Sequence, residues 1–367
     1  MSTESNNVGF KILGIFGALY LFLVGINGMS SAIKNMGSGV ADSIFTTTSD
    51  PVIALFIGIF ATVLFQSSST TTSLIVGMVS SGALGLAGAV PMIMGANIGT
   101  TVTNTIVSIG HLNRGNEFKR AFAASTVHDF FNIMCVMILF PLEMAFHGIQ
   151  RSAEWVSALM FGKIQNVDIL KAKSPIKVAI KSGGEFVERF TFDNNVVYLV
   201  LSILITFAML YALVKILRSL VLKKVEVFFD EYIFKTALRA IGFGVVLTIM
   251  VQSSSITTSL VVPLAGAGVL TLRQIFPFTL GANIGTTVTA LLAAITGTVA
   301  ALIAAISHLF FNIFGILIIY GLPFLRVIPL NCAEWIADQA VKNKLVPVLY
   351  LLFMFVGLPL TIIFMGR

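Results

Sequence analysis

The stretch QSSSTTTSL (residues 66–74) recurs almost unchanged as QSSSITTSL (residues 252–260), and each copy interrupts an apolar run. Twenty-nine residues after the glutamine of each stretch begins a second motif, GANIGTTVT, at residues 95–103 and 281–289. One offset of 186 residues aligns both pairs of motifs without a gap. The chain therefore contains an internal duplication, and we expect its two copies to meet around one polar site in the middle of a membrane.

The composition is that of an integral membrane protein. Hydrophobic residues make up 57% of the 367 residues and charged residues only 11%, and the mean hydropathy is +0.97. A soluble domain of this length is far more polar. The apolar segments are about twenty residues long and lack the alternation typical of barrel strands. The sequence therefore predicts an all-α membrane protein.

The formal net charge of +7 does not indicate a nucleic-acid-binding protein. The lysines and arginines lie between apolar segments rather than on one polar face, so membrane topology explains them better. The polar residues 1–7 contain no basic cluster and no cleavage site, and we expect the first span to be retained. Cys135 and Cys332 support neither a metal site nor a disulfide framework, so no cofactor is expected.

The first polar stretch is predicted to form the tip of a hairpin. The apolar residues 52–65 before it reach only about 21 Å as a helix, too short for a hydrocarbon core of roughly 30 Å. We therefore interpret residues 52–82 as a re-entrant helical hairpin with its serines at membrane depth. One long helix with a polar face is the alternative. The second copy, residues 240–269, is interpreted in the same way.

The second motif of each copy is predicted to interrupt a helix. Residues 84–110 are long enough to span a membrane but contain Pro91, Gly95 and Gly99. These residues favour a discontinuous helix whose free backbone carbonyls face a protein-lined cavity. Residues 275–295 repeat the pattern, so we expect two broken helices.

The remaining segments complete two repeats of one plan. Repeat 1 is assigned to residues 8–142 and contains a first span, the hairpin, the broken helix and a last span at 121–140. Residues 143–194 are assigned to an interfacial or linker segment. Repeat 2 is assigned to residues 195–322, with its last span at 299–321, and residues 323–367 are assigned to an interfacial segment followed by a final span. Residues 34–51, rich in Gly, Ser and Thr, are interpreted as a loop. Each repeat then crosses the membrane an odd number of times, which inverts the second copy and opposes the two hairpins, as in secondary transporters with a midplane site. A crossing by residues 143–162 would change this parity.

The polar tips are suited to binding an oxyanion. An unpaired hydroxyl or amide buried in hydrocarbon costs roughly 1 to 3 kcal/mol, so the tips require polar partners. Helices that begin at the tips would present backbone N–H groups and a positive dipole end. Together with serine hydroxyls and a glutamine amide, these groups form a donor-rich cradle for an anion.

The second motif offers ligands for hard cations, because asparagine and threonine oxygens and free carbonyls suit an ion such as Na+. No lysine or arginine lies in or beside the motifs, so a buried anion requires cations that enter with it, which implies cotransport. Asp129 is the one carboxylate within the apolar spans of the repeats, and the second copy has Leu309 in its place. We expect Asp129 to be an additional cation site or a proton relay.

These motifs, together with VHDFFN at residues 127–132, resemble the type II sodium/phosphate cotransporter family, in a short bacterial form. The resemblance extends from about residue 13 to residue 324. It implies phosphate binding by the glutamine and three serines of each tip: Gln66, Ser67, Ser68, Ser69, Gln252, Ser253, Ser254 and Ser255. It also implies Na+ binding by tip and second-motif residues: Ser68, Ser69, Thr70, Asn97, Thr100, Thr101, Asp129, Ser254, Ser255, Asn283, Thr286 and Thr287.

The resemblance has two further implications. An aspartate at the position of Asp129 accompanies electrogenic transport in that family, whereas electroneutral members have glycine. Ser125 departs from the pattern, because electrogenic relatives tend to have alanine there. The chain also lacks the long cysteine-bearing extracellular loop of animal members, so no disulfide or glycosylation carries over.

The resemblance predicts a multi-pass protein of the bacterial inner (plasma) membrane with a cytoplasmic N-terminus. Its expected partners are inorganic phosphate, Na+ and the lipid bilayer, and a homodimer is compatible with the sequence. It implies a symporter rather than an enzyme, working by alternating access of a hairpin-bearing core against a scaffold of the first span of each repeat.

Other functions remain open. The nearest alternative is a sodium- or proton-coupled transporter of another oxyanion, such as sulfate or arsenate. An intramembrane hydrolase with His128 or His308 as base lacks a nucleophile-elbow or Ser-Lys pattern. An ion channel would require a continuous polar pore, whereas here the polar residues concentrate at one depth.

Overall fold

A computed structural model describes residues 2–36, 38–113, 115–161, 175–192, 194–225, 233–295 and 297–366. The regular structure of these residues is entirely helical. Within them, seven helices are long and apolar enough to cross a membrane: Gly9–Asn35, Leu86–Ile109, Asn116–Phe146, Asn195–Leu217, Leu272–Ala294, Val299–Tyr320 and Val346–Met365. The all-α membrane architecture predicted from composition is confirmed.

The helices follow the order of the duplication. The first half contains α1 (Ser2–Asn35), α2 (Ser38–Thr47), α3 (Pro51–Phe65), α4 (Ser68–Ser81), α5 (Leu86–Gly99), α6 (Val102–Ile109), α7 (Asn116–Phe146), α8 (Gly148–Phe161) and α9 (Pro175–Glu188). The second half contains α10 (Asn195–Val225), α11 (Ala237–Val251), α12 (Ser254–Ser259), α13 (Val261–Gly266), α14 (Leu272–Ala294), α15 (Val299–Gly315), α16 (Pro323–Lys342), α17 (Val346–Leu352) and α18 (Leu358–Met365). Short π-helical turns, Ile316–Tyr320 and Phe353–Gly357, follow α15 and α17.

α3 and α4 form the first hairpin. The Asp50 carboxylate caps the N-terminus of α3 by accepting hydrogen bonds from two backbone N–H groups, at 2.7 and 3.1 Å. The helix ends at Gln66, whose backbone is left-handed (φ 52°, ψ 26°). The next residue, Ser67, is the N-cap of α4, and Gly82 ends that helix at φ 82°. One strained residue and one cap therefore reverse the chain between the two arms.

The second hairpin repeats this turn. α11 ends at Gln252, which is also left-handed (φ 56°, ψ 27°), and Ser253 is the N-cap of α12. Its returning arm differs from α4, because the helix is divided at Leu260 into α12 and α13. The C-terminus of α13 is held by Arg120 of α7, whose guanidinium donates to the carbonyls of Ala265 and Gly266 at 3.2 and 2.9 Å.

Glycines bring each hairpin against the helix that carries the second motif. A Cβ at Gly95 of α5 would overlap the carbonyl oxygen of Leu55 in α3. The second half repeats this contact between Gly281 of α14 and Ile241 of α11. Small residues allow membrane helices to approach at backbone distance. The duplicated glycines therefore fix each tip beside its own GANIGTT motif.

α1 and α10, the first span of each half, pack on each other outside the hairpins. Gly25 and Gly28 of α1 face Thr206 and Ser202 of α10 with no room for a side chain. α9 lies against this pair, since Tyr198 of α10 donates to the carbonyl of Gly184 at 3.1 Å. The two first spans thus form one unit, as the scaffold prediction requires.

The loop predicted at residues 34–51 is wrong over most of its length, because α2 lies within it. Its serines and threonines donate to carbonyls of the preceding turn, for example Thr47 to Ser43 at 2.8 Å and Thr48 to Ile44 at 2.7 Å. Residues typical of loops are compatible with a helix when their hydroxyls bond back in this way.

The prediction of two broken helices is wrong for the second copy, and in the first copy the structure shows only a short interruption whose two residues keep a right-handed helical backbone. α5 and α6 are separated at Thr100–Thr101, whereas α14 runs unbroken through the equivalent Thr286–Thr287. One external contact coincides with the interruption. The Thr100 carbonyl accepts a hydrogen bond from Ser255 of the second hairpin, at 3.2 Å. The equivalent serine of the first hairpin, Ser69, donates to the Gln252 carbonyl instead, and α14 is uninterrupted.

Candidate functional site

The serines that start the returning arms are arranged alike in both copies. Ser67 Oγ accepts a hydrogen bond from the Thr70 backbone N–H at 3.2 Å, and Ser253 Oγ accepts from Ile256 at 3.3 Å. Each cap hydroxyl thereby serves as an acceptor and keeps its own hydrogen available. The first turns of α4 and α12 begin directly behind these caps.

The next serine of each tip is buried without a protein partner. Ser68 and Ser254 are 4% and 2% exposed. No hydrogen bond to another described residue engages either hydroxyl. Neither oxygen is fully enclosed, so both hydroxyls keep their hydrogen-bonding capacity and are open to water or to a polar ligand.

The glutamines hold the tips to the second motifs. Gln66 Nε2 donates to the Val63 carbonyl at 2.6 Å, and its Oε1 accepts from Thr103 at 3.1 Å. Gln252 repeats both bonds, to Ile249 at 2.7 Å and from Thr289 at 2.9 Å. Each amide retains a second N–H for a ligand. The sequence prediction omitted these two threonines, although both stand at the last position of the repeated motif.

The two tips, remote in sequence, lie together in the fold. The Ser69 hydroxyl donates to the Gln252 carbonyl at 3.4 Å, from the first hairpin to the second. In the other direction, Ser255 reaches the Thr100 carbonyl between α5 and α6. The four motifs therefore surround one place, as the duplication predicted.

Asn104 makes a further link that sequence analysis did not assign. Its Nδ2 donates to Thr258 at 2.7 Å, and its Oδ1 accepts from Ser259 at 2.9 Å. It belongs to the first half and both partners to the second hairpin. The second copy has Ala290 at the equivalent position. A lone asparagine one residue beyond the repeated motif was the available signal.

Most threonines of the predicted cation site donate their hydrogen to their own helix. Thr100 donates to the Ala96 carbonyl at 3.0 Å and Thr286 to Ala282 at 3.0 Å. Thr101 and Thr287 bond the carbonyls three residues earlier, at 2.9 and 2.7 Å. Thr70 donates to Ser67 Oγ at 2.9 Å. A hydroxyl that has used its hydrogen still offers lone pairs, so these oxygens suit a cation and not an anion.

Two asparagines of the predicted cation site face histidines of the opposite half. Asn283 Oδ1 lies 2.5 Å from His128 Nε2, and Asn97 Oδ1 lies 3.4 Å from His308 Nε2. Asn132 joins the two pairs, because it accepts from Asn283 Nδ2 and donates to the Asn97 carbonyl, each at 2.8 Å. All five side chains are buried. The network crosses the duplication and ties the two copies together.

Asp129 is also buried, but it takes no part in this network and faces the last membrane segment. Its Oδ2 accepts a hydrogen bond from the Tyr350 hydroxyl of α17 at 3.0 Å. Its Oδ1 is buried and has no hydrogen-bond partner among the described residues. The site thus contains one carboxylate with a free oxygen, and the bonds described above involve no lysine or arginine around the tips.

The glutamines of the two tips differ in exposure. Gln66 is exposed at the first tip, whereas Gln252 at the second is only 6% exposed. The bonds within the two turns are the same, so the difference comes from the surrounding helices. The first glutamine is therefore less enclosed by protein than the second.

A family model described as Na+/Pi-cotransporter matches residues 21–163 and 194–322. The sodium-dependent phosphate transport protein 2B of Homo sapiens is 32% identical over 96% of this chain and 64% of its own length. The transport protein 2A of Rattus norvegicus is 35% identical over 98% of this chain and 68% of its own length. This chain therefore spans about two thirds of the length of these relatives. No solved structure gives a significant match.

The matched segments contain both tips, both GANIGTT motifs and the histidine–asparagine network. They end before α17, which supplies Tyr350. The duplicated polar centre thus lies within the segments that the family model matches, while the helix that contacts Asp129 lies outside that model and is reached only by the longer matches to the relatives.

Proposed function

The chain belongs to the Na+/Pi-cotransporter family, and on that basis we propose that it is a symporter that carries inorganic phosphate across a membrane together with sodium ions. The observation that carries the proposal is the contact of the two serine tips, each with a serine whose hydroxyl has no hydrogen-bond partner among the described residues. It is not proposed to be an enzyme, since the relatives named above are transport proteins.

Phosphate is proposed to bind between the tips, where hydrogen-bond donors remain. Ser67, Ser68, Ser253 and Ser254 have hydroxyl hydrogens that no acceptor among the described residues uses. Gln66 and Gln252 each add one free amide N–H, and the N-terminus of α4 adds backbone N–H groups. Donors without acceptors of their own are the groups that an oxyanion needs.

Sodium ions are proposed to bind where oxygen lone pairs remain. Ser69, Ser255 and the motif threonines have donated their hydrogens to carbonyls, so they can only accept further contacts. The amide oxygens of Asn97 and Asn283 each have one lone pair beyond the histidine contact. The motif threonines proposed as ligands are Thr100, Thr101, Thr286 and Thr287, and the remaining proposed ligands are Ser68, Thr70 and Ser254. Since no basic residue balances the anion, the cations do so.

Asp129 is proposed to bind one further sodium ion through its free Oδ1. Its negative charge remains in the membrane when the site is empty, so an additional cation is needed to neutralise it. The second copy has no equivalent carboxylate. The consequence is a net movement of charge in each transport cycle.

Transport is proposed to occur by alternating access of the hairpins and motif helices against the α1–α10 scaffold. The two halves are proposed to be inverted repeats in a bacterial inner membrane, with a cytoplasmic N-terminus. The exposed Gln66 and buried Gln252 are consistent with a conformation open on the side of the first tip.

The proposal is tested with the full-length chain in proteoliposomes. Uptake of labelled phosphate is measured with external sodium and with sodium replaced by choline or potassium. Saturable uptake that requires sodium is expected, and sodium-independent uptake contradicts the coupling. Competition by excess sulfate or arsenate tests the alternative substrates.

The binding site is tested with Ser68→Ala and Ser254→Ala, which remove the two unpartnered hydroxyls. Each variant is expected to raise the KM for phosphate by roughly tenfold, because a hydrogen bond to a charged group contributes about 1.5 to 3 kcal/mol. Ser81→Ala is the matched control, since Ser81 lies at the other end of α4 and bonds only locally. Wild-type KM values in both tip variants would remove the proposed site.

A further inference from the structure

The final membrane segment places one hydroxyl against the lone carboxylate of the core. Residues 346–365 contain only two side chains with a hydroxyl, Tyr350 and Thr361. Thr361 donates to the Gly357 carbonyl of its own segment at 2.7 Å. Tyr350 instead reaches Asp129 Oδ2 in α7. The hydrogen bond from Tyr350 to Asp129 is therefore the one hydrogen bond that a hydroxyl of this segment makes to another helix.

The ring of Tyr350 is fixed by aromatic neighbours. Its centroid lies 6.2 Å from that of Phe130 and 5.9 Å from that of Phe355, at an interplanar angle of 85° to the latter. Phe355 belongs to the π-helical turn that directly follows α17. Such turns are frequent at functional sites, where they re-aim side chains. The hydroxyl is therefore held at Asp129 by packing as well as by its own hydrogen bond.

The hydrogen bond leaves the two carboxylate oxygens with different roles. Oδ2 is occupied by Tyr350, whereas Oδ1 is buried and unpaired among the described residues. A hydrogen bond to the charged form stabilises a carboxylate, and it also fixes the rotation of the group. A buried carboxylate oxygen without any partner is costly, so Oδ1 is the position where a cation would be bound.

We propose that Tyr350 is a positioning residue that holds Asp129 with Oδ1 free to bind the coupling cation. The proposal rests on the proposed function of Asp129 as a sodium ligand. It assigns a role in sodium affinity to a helix that has no copy in the duplication and lies beyond the residues matched by the family model, although the matches to the two relatives extend over 96% and 98% of the chain.

The test is Tyr350→Phe in the full-length protein, with sodium-dependent phosphate uptake measured in proteoliposomes. Phenylalanine retains the contacts with Phe130 and Phe355 and removes only the hydroxyl. The KM for sodium is expected to rise about tenfold, which corresponds to the loss of one hydrogen bond to a charged group. The KM for phosphate at saturating sodium and the maximal rate are expected to change less than about twofold.

Tyr320→Phe is the matched control. Tyr320 also lies in a π-helical turn and packs its ring against a phenylalanine, Phe276, at 5.5 Å. Its hydroxyl has no hydrogen bond to another described residue. The variant is expected to keep the wild-type KM for sodium.

A double-mutant comparison separates positioning from general packing. In an Asp129→Gly background, Tyr350→Phe is expected to leave the KM for sodium unchanged, because the group that it positions is gone. A shift of equal size in both backgrounds, or no shift in the wild-type background, overturns the proposal. If Tyr350→Phe does not fold, Tyr350→Gln and Tyr350→Leu replace it. Glutamine retains a hydrogen-bond donor and leucine does not, so equal KM values for sodium in these two variants would also overturn the proposal.

These outcomes are distinct from a failure of the proposed function. Sodium-independent uptake by the wild type contradicts sodium coupling itself. If the wild type shows sodium-dependent uptake and Tyr350→Phe has the wild-type KM for sodium, only the role of Tyr350 is contradicted.

Discussion

The side-chain oxygen of Asn283 lies 2.5 Å from Nε2 of His128, although the two residues belong to different halves of the duplication. Since an amide oxygen can only accept, Nε2 carries the hydrogen of this bond. The equivalent pair, His308 with Asn97, is longer at 3.4 Å. The two halves are thus tied by one short and one long contact of the same kind.

The short contact is predicted to contribute more to stability. His128→Ala leaves the buried Asn283 oxygen without its donor, which costs about 1 to 3 kcal/mol. His308→Ala breaks a weaker bond and is expected to cost less. Thermal unfolding of the purified protein in detergent measures both variants, and a larger loss of Tm for His308→Ala would contradict this ranking.

Asp129→Gly is predicted to remove charge movement while sodium-dependent uptake continues. The variant eliminates the buried carboxylate, and with it the need for the additional cation. Phosphate-evoked current and labelled uptake are measured on the same preparation. Current of unchanged size for each phosphate transported would refute the role of Asp129.

Thr289→Val is predicted to loosen the second tip. The substitution keeps the shape of the side chain and removes the hydroxyl that donates to Gln252 Oε1 at 2.9 Å. The buried amide oxygen is then unpaired, and the KM for phosphate is expected to rise by roughly tenfold. Thr361→Val is the control, because that hydroxyl bonds only its own backbone. Equal KM values for the two variants would argue against a role for the glutamine in shaping the tip.

Gly281→Ala is predicted to prevent correct packing of the second hairpin. Its Cβ would overlap the carbonyl oxygen of Ile241, and neither backbone can move independently of its helix. Gly242→Ala is the matched control, since a Cβ at Gly242 meets no atom within 4 Å. The yield of monodisperse protein after size-exclusion chromatography is expected to fall for the first variant only.

Sequence analysis was most successful where the duplication supplied two independent copies of one pattern. The glutamine–serine tips, and their convergence with the GANIGTT motifs, follow from motifs repeated at one spacing. Local chemistry explains this success, because a left-handed glutamine followed by a serine cap is specified by neighbouring residues.

The errors arose where tertiary contacts decide the outcome. Pro277 and the glycines of α14 predicted a break, but the glycines serve as packing positions and the helix continues. Thr100 and Thr286 have the same local sequence, and only the former meets Ser255. No local pattern distinguishes them.

The pairings of the polar residues were also beyond sequence analysis. His128, His308 and the three asparagines were each visible as polar residues in apolar segments. Their crossing between halves depends on the docking of α7 and α15 with the motif helices. Tyr350 gave still less signal, because its segment has no copy against which to compare it.

The two tips make different contacts, so the opposite conformation can be described by exchanging the contacts of the first half with those of the second. Ser69 would then leave the Gln252 carbonyl for that of Thr286, and α14 would open there as the first half does at Thr100. Gln66 would become enclosed, and Gln252 would meet water on the far side. The same two turns would then line the site in both conformations, with only the enclosing helices exchanged.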